Sequence, residues 1–147
     1  MKSATRCFAL ALAFAAAWSH ASVPDPSLTG CWRASRIVQH FQDGSKAEDS
    51  SGRCTLRFQE DQLESICATA SSAVTSTYRY RIERPGFYLA TMLASSFRTD
   101  LVGSTREYEY HVEGDSLSTA TDLHPAKPAA GTAAIRVETQ AARIPCP

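Results

Sequence analysis

The sequence predicts an all-β fold, an eight-stranded antiparallel up-and-down barrel preceded by an N-terminal signal peptide. Three observations predict it. Eight short runs alternate with a period of two and are rich in Thr, Tyr, Val, Ile and Phe. The links between them carry Gly, Pro and Asp at turn positions, and no segment shows a capped amphipathic helix. Eight strands of this length can also close on themselves, which removes the exposed edges of an open sheet.

The first element is a targeting segment. Lys2 and Arg6 give a positive start, Phe8 to Trp18 is an unbroken apolar run, and Ser19-His20-Ala21 places small residues at −3 and −1 of a cleavage site. Cleavage after Ala21 is expected. The apolar run is shorter than the ~20 residues a spanning helix needs, and Cys7 precedes it, which argues against a bacterial lipid anchor. The domain organisation expected is therefore a signal peptide over 1–21 and one barrel domain over 22–147, located in the periplasm or secreted. The mature part would carry 13 basic and 15 acidic residues. Such a balance provides no field for nucleic acid or an anionic membrane.

Four cysteines remain in that domain: Cys31, Cys54, Cys67 and Cys146. An even number in an exported chain reads as two disulfides. Of the three connectivities, Cys54–Cys67 with Cys31–Cys146 is favoured. A turn centred on Glu60-Asp61 places Cys54 opposite Cys67, Leu56 opposite Ser65 and Phe58 opposite Leu63, within the reach of a disulfide. The second bond would join the start of the domain to its end. No two cysteines have the close spacing of a zinc site, and His40, His111 and His124 are scattered, so no metal is expected.

The strand runs are 30–40, 53–59, 62–69, 73–84, 87–97, 104–113, 115–122 and 132–143. Residues 22–29, with Pro24 and Pro26, form an irregular leader. Asp43-Gly44 and Gly52 bound a charged loop; Pro85-Gly86 suits a type II turn and Gly114-Asp115 a tight hairpin. Residues 123–131 form a proline-interrupted loop. In 77–83, Tyr78, Tyr80 and Ile82 share one face and Arg79, Arg81 and Glu83 the other. In 105–112, Tyr108, Tyr110 and Val112 oppose Glu107, Glu109 and His111. Across the Gly114 turn Val112 meets Leu117, Tyr110 meets Thr119 and Tyr108 meets Thr121, so the apolar face stays on one side. That half-aromatic, half-hydroxyl face suits a core or a cavity for an amphiphile. The opposite face suits cross-strand charge pairs rather than an acid/base dyad.

Ser27-Leu28-Thr29-Gly30-Cys31-Trp32, a Gly-x-Trp entering the first strand of an eight-strand meander, resembles the calycin superfamily. That superfamily includes lipocalins, avidins and intracellular fatty-acid-binding proteins; the likeness is nearest to bacterial lipocalin-like exported domains. The resemblance implies that Trp32 plugs one end of the barrel and that a basic residue of a late strand, Arg136 or Arg143, stacks on it. It also places Cys31 beside Cys146, because closure brings the first and last strands together. Biotin is disfavoured: Trp32 is the one tryptophan of the mature part and the chain has no asparagine, whereas avidin pockets are walled by several tryptophans. A periplasmic metalloprotease inhibitor starts with a similar Gly-x-Trp, and residues 22–29 could play its inserting leader.

No nucleophile elbow or phosphate-binding glycine loop occurs. The function expected is therefore non-enzymatic and cofactor-free: a small apolar or amphiphilic ligand held in the barrel by Tyr78, Tyr80, Tyr108, Tyr110 and Leu117. The alternative is a periplasmic protein-binding module, an inhibitor or immunity-type protein, acting through loops 41–52 and 123–131 or the leader.

Overall fold

Alternation along the chain becomes one antiparallel sheet that closes on itself. The computed structural model describes residues 23–123 and 133–147. The cleavage point after Ala21 and nearly all of the 123–131 loop lie outside the described residues. The strands are β1 (Gly30–Phe41), β2 (Lys46–Asp49), β3 (Cys54–Phe58), β4 (Gln62–Ala68), β5 (Ala73–Arg84), β6 (Phe87–Ser95), β7 (Thr105–Glu113), β8 (Ser116–Asp122) and β9 (Ala134–Ile144), with one 3-10 turn at Thr99–Leu101. Each strand pairs with its neighbour in sequence from β3 to β9, and β1 pairs with both β3 and β9. Eight strands thus form the closed barrel.

The ninth strand, β2, corrects the expectation of a loop over 41–52. Its four residues, KAED, are all exposed and show no alternation, so no apolar period marks it. Its conformation is imposed from outside. β3 is only five residues long and pairs with Gly30–Arg33. The upper part of β1, Ile37–His40, would be an unpaired edge; β2 takes it.

The registers agree with the expected ones. Cys54 faces Cys67, Leu56 faces Ser65 and Phe58 faces Leu63; Tyr110 faces Thr119 and Val112 faces Leu117. Both disulfides have the favoured connectivity, Cys31–Cys146 and Cys54–Cys67. The Pro85-Gly86 turn joins β5 to β6, with Gly86 at φ +78, as the third position of a type II turn requires. Outside, charge pairs run between strands, as expected, and also along one strand. Arg84 meets Glu107 at 2.7 Å, Arg81 meets Glu83 and Arg79 approaches Asp61. All are exposed, and such pairs add little to stability.

Inward residues divide the barrel along its axis. Around the end where β1 begins, Leu28, Trp32, Phe58, Leu63, Tyr80, Tyr88, Tyr110, Leu117 and Ala141 make the buried core. Toward the other end, inward positions are smaller and carry hydroxyls.

Candidate functional site

The first end is sealed by side chains. Trp32 and Leu28 are fully buried; the indole Nε1–H donates to the Leu28 carbonyl at 2.9 Å. The Arg143 guanidinium lies over the Trp32 ring, 4.1 Å from its centroid, a cation–π contact. Its Nη1 and Nη2 donate to the carbonyls of Thr29 and Ser27 at 3.0 and 2.7 Å. Gly30 makes room for this arrangement: at φ +127, a Cβ there would stand 2.9 Å from Arg143 Nη1. Of the two arginines the sequence offered for stacking, Arg143 takes the role. Arg136 is corrected to an outer-wall position, where it pairs with Asp122 at 2.8 Å and Glu138 at 3.0 Å. The register explains it: Trp32 stands opposite Arg143, whereas Arg136 stands opposite His40, near the far end of β1.

The leader belongs to this seal. Asp25 accepts a 2.7 Å hydrogen bond from the Tyr110 hydroxyl and two from Ser27. Burial pulls the Asp25 pKa upward, but the Tyr110 and Ser27 hydrogen bonds outweigh it, so the group titrates below its ordinary value. Tyr110 moves the other way, raised by burial and by the Asp25 carboxylate. A carboxyl whose folded pKa is depressed stabilises the fold above its unfolded value, about 3.9. That contribution is lost as pH falls through the folded pKa. Asp25→Asn should therefore flatten the acid limb of stability against pH below about pH 4, and Tyr110→Phe should cost about 1 kcal/mol at pH 7. Urea unfolding at pH 3 to 7 checks both; an unchanged acid limb in Asp25→Asn would refute the assignment.

The five residues expected to line a ligand site do not act together. Tyr80, Tyr110 and Leu117 are buried in the sealed half, where the Tyr80 hydroxyl donates to the Gln59 carbonyl at 2.6 Å. Tyr78 and Tyr108 pack on that core from above and are half-buried. Between them sits a residue the sequence reading missed. Tyr88, 2% exposed, stacks on Tyr108 with ring centroids 4.9 Å apart and meets Phe58 and Tyr80 edge-on. In β6 both faces are apolar (Tyr88, Ala90 and Met92 against Leu89 and Leu93), so alternation could not say which side faces in.

The open half is built from small polar and apolar residues. Leu56, Ser65 and Ser76 stand side by side on β3, β4 and β5, and Ser76 Oγ meets Ser95 Oγ at 3.0 Å. On the opposite wall Thr119, Thr139 and Ile37 form another row. Leu56, Ser65, Ser76, Ile37 and Thr139 are inward by register yet only half-buried. A filled barrel would bury such positions, so this half is accessible from its rim. The rim carries exposed apolar residues on the β6–β7 connection, Phe97 and Val102. Two grooves lie on the outer wall. One is bounded by Arg79, Arg81, Leu89, Thr91 and Thr105; the other follows Glu109, His111, Ser118, Ala120, Glu138 and Gln140. Among the described residues, no three His, Cys, Asp or Glu side chains gather into a possible metal site.

No protein-family model matches the chain, and no curated protein sequence does. Solved structures do. A lipocalin-like protein from Bacteroides uniformis superposes with a TM-score of 0.54 at 11% identity, over 80% of this chain and 99% of that one. The barrel is lipocalin-like. An uncharacterized protein from Bacteroides eggerthii superposes at TM-score 0.50 and 10% identity, over 79% of this chain and 98% of that one. At such identities the likeness is one of fold. The lipocalin-like architecture, a closed end and an accessible end, is compatible with a small ligand held inside. Two disulfides are the mark of a non-cytoplasmic, oxidising compartment.

Proposed function

We propose that this lipocalin-like barrel is a non-enzymatic carrier or scavenger, exported to the periplasm or beyond, that takes a small apolar or amphiphilic molecule into its open half. The observation that carries the reading is the set of inward-facing, half-buried residues above the Tyr88 floor, Leu56, Ser65, Ser76, Tyr78, Tyr108 and Thr139. Apolar area there would supply affinity and the hydroxyls would fix orientation. Tyr80, Tyr110 and Leu117 would support that floor rather than touch the ligand. Export rests on the leader pattern of residues 1–21 together with the disulfides.

The neutral dye N-phenyl-1-naphthylamine, added to protein stripped of bound lipid, tests this. Its fluorescence should rise on binding. Ser76→Trp, which fills the interior, should lower dye affinity at least tenfold, while Thr77→Trp, one residue along on the outer face, should leave it unchanged. No binding, or equal loss in both variants, refutes the reading. The alternative, a protein-binding module working through the leader, is disfavoured by the burial of Leu28 and the Asp25–Tyr110 bond, which hold that segment against the barrel.

A further inference from the structure

Arg106 occupies a position where a barrel wall ordinarily carries an apolar or hydroxyl residue. In β7 it shares a face with Tyr108, Tyr110 and Val112, and its register partner on β6 is Ala90, buried in the core. It is therefore an inward residue, at the rim of the open half, and half-buried. Eight other arginines, Arg36, Arg53, Arg79, Arg81, Arg84, Arg98, Arg136 and Arg143, stand within ion-pair distance of a carboxylate. No such pair forms at Arg106 among the described residues. Arg33 and Arg57 are also without one, but they alternate with the inward Trp32 and Leu56 and so face out.

The groups around Arg106 leave it short of a counter-charge. Asp100, on the 3-10 turn, feels its field, but both Asp100 oxygens are taken by Arg98 at 2.9 Å. Tyr108, two residues along on the same face of β7, is the other neighbour. Burial and the neighbouring Tyr78 push the Tyr108 pKa up while Arg106 acts against them, leaving it at about 12. The hydroxyl is therefore neutral at physiological pH, so it can donate to an anion beside the guanidinium rather than repel it. A partly desolvated cation whose neighbouring carboxylate is already engaged by another arginine is costly. Its fork geometry fits a carboxylate, sulfate or phosphate, through charge-assisted hydrogen bonds. The same interior offers Leu56, Met92 and the rings of Tyr78 and Tyr108, all core or packed on the core.

We infer that the ligand is an anionic amphiphile, its charged head held by Arg106 and Tyr108 and its apolar chain lying within the open half. This rests on the open half being the binding compartment. Straight-chain probes of eight to sixteen carbons, used below their micelle concentrations, separate the two ideas by displacement of N-phenyl-1-naphthylamine. Fatty carboxylates, and alkyl sulfates and phosphates as arms for the other head groups, are compared with alcohols of equal length. At least one anionic series should displace the dye at roughly tenfold lower concentration than the alcohols, a difference of about 1.4 kcal/mol. Arg106→Gln should abolish that advantage without changing alcohol displacement, and Arg106→Lys should keep part of it; unchanged circular dichroism and thermal midpoint establish that the variants fold. If anions and alcohols displace equally in the parent protein, or Arg106→Gln weakens both alike, the head-group assignment falls and the carrier reading survives. If the dye does not bind, or no chain displaces it, both fall.

Discussion

Replacing Cys31 and Cys146 together by alanine should lower the unfolding free energy by ~4–5 kcal/mol, the largest effect expected from any paired change in this chain. The bond closes a loop of 115 residues, so its removal returns to the unfolded chain the entropy of nearly the whole described sequence. It also sits where the barrel closes, beside the Cys31–Ile144 pairing that begins the β1–β9 ladder. The Cys54–Cys67 bond closes only 13 residues, and the same model gives it ~3 kcal/mol. Urea titrations of both double variants, with the slope checked for two-state behaviour, should order them this way. A loss below ~1 kcal/mol for Cys31/Cys146 would show that the ladder alone secures closure.

The second large effect is Trp32→Ala, expected to cost ~3–5 kcal/mol. The side chain is fully buried, and its loss would leave a cavity flanked by Leu28 and Arg143. It would also orphan the Leu28 carbonyl, which accepts the indole N–H, and remove the ring beneath Arg143. Because this seal lies at the far end from Tyr78 and Tyr108, Trp32→Ala should reduce the melting temperature strongly while probe affinity at temperatures below the transition changes little. Trp32→Phe, which keeps most of the volume, should recover more than half of the loss. If Trp32→Ala proves neutral, the closed end is not held by this residue.

Much of the fold was legible in the sequence because its signals are local. Two-residue periodicity placed Tyr78, Tyr80, Tyr108 and Tyr110 inward, and a single turn assignment at Glu60-Asp61 fixed three cross-strand pairs at once, including a disulfide. Features set by distant neighbours were not legible. The β2 strand is dictated by the edge of β1. The choice of Arg143 over Arg136 depends on the β1–β9 register, including its bulge between Ala34 and Arg36, which no single segment encodes. The candidate site was half legible. Alternation identifies which residues look inward, but how far along the axis each one lies depends on strand stagger. Three of the five proposed wall residues accordingly fall in the sealed half. Arg106 shares the inward parity of Tyr108, yet charge alone points a residue outward, and the two signals conflict at this position.

The geometry of the seal also sets how the molecule can be tethered. The leader reaches the barrel at the plugged end, through Leu28 and Asp25, and Cys146 is fastened to Cys31 at that same end. A purification handle or a sensor surface joined just after Cys146 is therefore attached at the plugged end, away from the mouth. Immobilisation through the carboxyl end should thus leave the dye affinity of the free protein unaltered.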